Sequence, residues 1–130
     1  MPSPQQIVEP TTIVVHQLDP DELHFFRSPA KACGYLEPID VDENEYSAAY
    51  DVTGTRFRLI TKLVPRRFLF GLLKGNSEVV DLVPEPTPTS QKELTDQLRT
   101  FLAQQGQPTS RAATLDELLR AAIAREGYIS

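Results

Sequence analysis

Cysteine occurs once in this 130-residue chain, at Cys33. A single thiol cannot close an internal disulfide, so the sequence points to a reducing compartment, the cytoplasm. Long hydrophobic runs are missing too. The longest, FLFGLL at 68–73, is six residues, against the roughly 18–20 a membrane helix requires. MPSPQQIVEP at the N-terminus has neither the positive charge nor the apolar core of a secretory signal. Residues 1–11 are expected to form a flexible tail, and the protein to stay in the cytoplasm. The six glycines fall mainly in turns, and none belongs to a GxSxG, GxGxxG or Walker-type loop. HExxH and CxxC spacings are absent as well. The sequence therefore gives no support to an enzyme, a cofactor or a metal centre.

What is present is one domain's worth of chain, expected over residues 12–130, able to bury about two-thirds of the surface its unfolded form exposes. The net charge of −5 is unevenly spread. Residues 1–54 carry ten acids and two bases, residues 55–89 six bases and three acids, and residues 90–130 five of each. An acidic first half repels phosphates, which argues against nucleic acid there and favours a basic protein surface.

Turn residues and periodicity divide the chain. TIVVHQL (12–18) and ELHFFRS (22–28) read as strands of a hairpin around Asp19-Pro20-Asp21. Ser28-Pro29 then starts a short helix that runs to Pro38, with Ala32, Tyr35 and Leu36 inward and Lys31 outward. EYSAAYDV (45–52) and TRFRLITKLV (55–64) flank Thr53-Gly54, and RFLFGLL (67–73) with EVVDLV (78–83) reads as a third pair around Gly75-Asn76. PEPTPT (84–89) is a stiff connector leading from strands to helices. Ser90 with Glu93, and Thr114 with Glu117, form capping boxes for two amphipathic helices ending near Gly106 and Gly127. Their apolar stripes are Leu94, Leu98, Phe101 and Leu102, then Leu115, Leu118, Leu119, Ala122 and Ile123. The expected fold is α+β: an antiparallel sheet of hairpins, one short early helix, and two C-terminal helices packed on the sheet.

Six carboxylates lie between Glu37 and Asp51. As a calcium loop starting at Asp40, the stretch supplies Asp40, Asp42 and Asn44 at positions 1, 3 and 5. It then places Glu45 where the sixth position needs glycine and Asp51 where the twelfth needs glutamate. A catalytic carboxylate pair needs one acid kept protonated by burial, and few apolar residues adjoin DVDENE. A solvated acidic loop is the expectation. Cys33 reads as a small core residue, with pairing to His16 or His24 left open. In the basic segment 56–74, Arg56, Arg58, Lys62, Arg66 and Arg67 alternate with Phe57, Phe68 and Phe70. That pattern allows a nucleic-acid platform, although strand alternation places the rings inward and the charges in solvent.

The blocks SPAKA, YLEPIDVDENEY and YDVTG, followed at a distance by ELTDQLRTFL, resemble small immunity proteins of bacterial polymorphic toxin systems. The resemblance is carried by residues 25–59 and more loosely by 90–103, with Glu45 standing where the pattern has glycine. It implies a non-enzymatic protein that binds and occludes a cognate toxin, often a basic nuclease. Asp40, Asp42, Glu43 and Glu45 would supply the charge, and Tyr46 and Tyr50 aromatic anchors. The alternatives are a nucleic-acid-binding or regulatory module using the strands at 56–74, or an accessory subunit of an assembly.

Overall fold

The computed structural model describes residues 8–65, 76–86, 91–107 and 109–129. The first hairpin forms as expected, from β1 (Ile13–Gln17) and β2 (Glu22–Phe26). Two short helices follow rather than one. Proline cannot continue the first, α1 (Pro29–Tyr35), but is tolerated at the start of the second, α2 (Pro38–Asp42), so Pro38 both interrupts and restarts the helix. Ser28 caps α1 by accepting the Lys31 amide at 3.2 Å. Asn44, at φ 59, turns the chain out of α2. Asparagine tolerates this left-handed conformation, so the turn needs no glycine at position 45. Strand β3 (Tyr46–Tyr50) pairs with β1, and β4 (Arg56–Pro65) with β3.

Strand β5 (Asn76–Pro84) pairs along the full length of β4, from Phe57 opposite Pro84 to Pro65 opposite Asn76. The expected pairing of 78–83 with 67–73 falls on residues outside those described. The helices α3 (Gln91–Gln104) and α4 (Leu115–Glu126) occupy the predicted positions. The α4 capping box is complete: the Glu117 amide donates to Thr114 Oγ1 at 3.1 Å, and the Thr114 amide to Glu117 Oε1 at 3.0 Å. Ser90 lies outside the described residues.

The sheet order is β5-β4-β3-β1-β2-β6, where β6 is Tyr128–Ile129. Strand β6 runs parallel to β2, so the sheet is mixed, not wholly antiparallel. A two-residue strand has no periodicity to read, and its place depends on tertiary contacts. Tyr128 Oη receives the Glu9 amide at 3.1 Å and lies 2.7 Å from Thr12 Oγ1, while the Arg27 guanidinium stacks 4.5 Å over its ring. Packing therefore reaches back into the expected tail, where Val8 also joins the core.

Period-2 alternation sorts the strand side chains onto two faces. Val14, Leu23, Phe25, Ala48 and Tyr50 meet the buried stripes of α3 and α4. On the opposite face Ile13, Val15, Phe26, Ala49 and Val80 meet Ala32 and Leu36 around α1. Neither long helix would be stable alone, because short isolated helices are marginal in water. Each gains its stability by burying leucines on the sheet.

A candidate protein-binding face

The α1/α2 side of the sheet carries the acidic stretch. Asp40 and Asp42 lie on α2, and Glu43, Asn44 and Glu45 turn the chain into β3. Asp42 accepts the Thr61 hydroxyl of β4 at 2.9 Å, which fixes α2 over the β4–β5 ribbon. That docking brings in an acid remote in sequence. Glu78 of β5 approaches Asp42, and a hydrogen bond to that side chain, desolvation and its like charge raise the Glu78 pKa. Glu45 is raised as well, by desolvation and then by Asp40 beside it. Among the described residues, no ion pair involves Glu37, Asp40, Asp42, Glu43, Glu45 or Glu78. Among the described residues, no three histidine, cysteine, aspartate or glutamate side chains converge as metal ligands would.

Large apolar side chains surround this charge. The four exposed ones among the described residues are Leu18 (48%), Tyr35 (56%), Ile39 (59%) and Leu63 (65%). Ile39 and Leu63 adjoin the acidic group directly, and Leu18 meets it through its backbone. Leu18 donates its amide to the Glu45 carbonyl at 2.9 Å, Ile39 precedes Asp40 on α2, and Leu63 pairs directly across from Glu78. Tyr35 and Tyr46 share surroundings with Glu37 and Asp40; burial first, then these acids and Glu45, push the Tyr46 phenol up. Tyr35 faces outward, contrary to the inward reading, because α1 ends there and Leu36 takes the core position. Its ring rests against Phe26 at 5.5 Å.

Of the sequence-predicted residues, Asp40, Asp42, Glu43, Glu45 and Tyr46 come together on this face. Tyr50 does not. It points to the α3/α4 side with no exposed surface, and its hydroxyl accepts from Gln97 Nε2 at 3.2 Å. Burial and a hydrogen bond to Glu93 raise its pKa well above the ordinary phenol. Tyr46 and Tyr50 are four positions apart, an even offset that would keep them on one face of a regular strand. A register slip in β3 opposite His16 and Gln17 reverses that parity. Cys33 is half-buried and outside both core clusters, not the core residue expected, and desolvation pushes its thiol up.

Two bases of the strands at 56–74 form ion pairs, while Arg58 is exposed and has none among the described residues. Arg56 reaches Glu93 at 3.3 Å and Glu85 at 3.7 Å, Lys62 reaches Asp81 at 2.9 Å, and Phe57 packs against the α1-side core. Arg66, Arg67, Phe68 and Phe70 lie outside the described residues. Comparison with protein-family models, with curated proteins and with solved structures finds no match.

Proposed function

We propose that the chain is a non-enzymatic binding protein of immunity type, which neutralises a toxin domain by covering it with the α2 face. The observation that carries this reading is the coincidence on the α1/α2 side of the sheet of three exposed large apolar side chains, Tyr35, Ile39 and Leu63, with six carboxylates. Clustered like charges destabilise a folded chain, and exposed leucine and isoleucine gain nothing there. Keeping both is a cost to stability of the kind binding sites commonly bear. A basic partner would be steered by the carboxylates and held by burial of Ile39, Tyr35 and Leu63. The ion pairs of Arg56 and Lys62 leave two of the bases at 56–74 less available to a phosphate backbone. Co-expression tests the proposal: growth arrested by the toxin domain encoded beside this gene should be restored by the wild-type chain. Arrest that persists despite soluble expression of the chain rejects it.

A further inference from the structure

On the opposite side of the molecule, a cleft of about 170 Å³ opens between the β1–β2 hairpin and α3. Its floor is Leu23 and Phe101, and its α3 wall is Gln97, Thr100 and Gln104. Carboxylates stand at its edge: Asp21 and Glu22 from the hairpin, and Asp96, which also pairs with Lys92 at 3.1 Å. His16 completes the lining and is fixed at both ring nitrogens, Nδ1 lying 2.6 Å from Ser47 Oγ and Nε2 2.6 Å from Asp21 Oδ1. The slip in β3 that inverts Tyr50 also leaves Ser47 free to reach the ring. Serine, histidine and aspartate are the residue types of a hydrolytic triad. Here, however, the serine bonds Nδ1, the aspartate Nε2, and Ser47 is not part of the cleft lining, so the chain of bonds orients the imidazole and arms no nucleophile. Gln97 adds one more feature. Its Nε2 serves Tyr50, while its Oε1 is a buried acceptor with no donor among the described residues.

We propose that this cleft binds a small primary amine bearing one apolar group. Apart from His16, which is bonded at both ring nitrogens, the ionisable groups that line it are carboxylates, and Gln97 Oε1 lacks a donor, so the lining suits a cation with N–H donors and disfavours an anion. The apolar floor suits a ring or short alkyl chain, and the volume is close to that of an engineered cavity known to take benzene, about 150 Å³. The site is separate from the α2 face, so an Ile39→Asp substitution there leaves amine binding intact. Benzylamine is the probe, followed by heteronuclear NMR with benzyl alcohol and phenylacetate as its neutral and anionic counterparts. Benzylamine should give saturable shifts at Leu23, Thr100 and Gln104, with benzyl alcohol about threefold weaker or more and phenylacetate not saturating, as one partly exposed charge interaction implies. Asp21→Asn should weaken benzylamine by about two- to fivefold and leave benzyl alcohol unchanged. Thr100→Phe should fill the cleft and remove binding; if its spectrum is not native, Gln104→Trp at the same wall replaces it. Scattered or non-saturating shifts, equal binding of the three probes, or undiminished binding to a folded filled variant overturns the proposal.

Discussion

Replacing Gly54 by alanine tests how the Asp51–Thr55 loop seats the first long helix. Asp51 Oδ1 gathers this loop, accepting the Thr53 amide at 2.9 Å, the Thr53 hydroxyl at 2.6 Å and the Thr55 amide at 3.0 Å. The closed loop holds Gly54 at φ +87 against the start of α3. A Cβ there would lie 2.6 Å from the Gln91 Cα and 2.8 Å from its amide nitrogen. Both are backbone atoms, so rotation of a side chain cannot relieve the overlap. Left-handed backbone costs alanine about 1–2 kcal/mol, and overpacking of this kind adds about 1–3 kcal/mol. The lower entropy of the unfolded alanine chain returns about 0.4–1 kcal/mol. A net loss of roughly 2–4 kcal/mol follows from those terms. Gly106 is the internal control: its φ is +76, yet a Cβ there meets nothing within 4 Å. Gly106→Ala should therefore show the backbone cost alone, about 1 kcal/mol. Denaturant unfolding of both variants, with m unchanged, measures the difference. Equal losses at the two positions would refute the close approach of the loop to α3.

Leu98 is fully buried between α3 and the sheet, and Leu98→Ala should lower unfolding free energy by about 2–5 kcal/mol in the same assay. Thr114→Ala breaks the α4 capping box and should cost about 1 kcal/mol. Glu117 in that box has a depressed pKa, chiefly from the Thr114 hydrogen bonds. Its contribution is present above the ordinary glutamate value and is lost as pH falls through the depressed one, so the wild-type advantage over Thr114→Ala should shrink in acid. Glu45 and Glu78 have the opposite sign. Their pKa values are raised in the fold, so the stability they favour exists below the ordinary carboxylate value, near pH 4.3, and is lost as pH rises through the folded values. Glu45→Gln and Glu78→Gln should consequently raise the denaturation midpoint at pH 7, with the gain vanishing near pH 4. A loss at pH 7 would contradict the like-charge account of this face.

The parts legible in the sequence were those governed by local signals. Both apolar stripes of α3 and α4, the first hairpin and the Thr114–Glu117 box follow from periodicity and capping chemistry. Pairings set by tertiary competition were not legible. The register of β5 along the full length of β4 has no local marker, and β6 is too short to carry a pattern. The acidic part of the face could be read from residues 37–45, but Glu78 and Leu63 join it only because β4 and β5 pair and α2 docks on them. Tyr50 misled because a one-residue slip reverses strand parity, and nothing in EYSAAYD marks where the extra residue falls. The His16–Ser47 contact follows from the same slip.

The most direct test of the proposed face is the affinity of the chain for the toxin domain proposed as its partner, measured by calorimetry for wild type, Ile39→Asp and Asp42→Lys. Ile39 should contribute about 1.5–3 kcal/mol if fully buried on binding, so Ile39→Asp should weaken the complex by at least tenfold. Asp42→Lys should weaken it further at low salt than at high salt, since the charge acts through long-range attraction. Affinities unchanged by both substitutions, in variants that remain folded, would contradict a toxin-binding role for the α2 face.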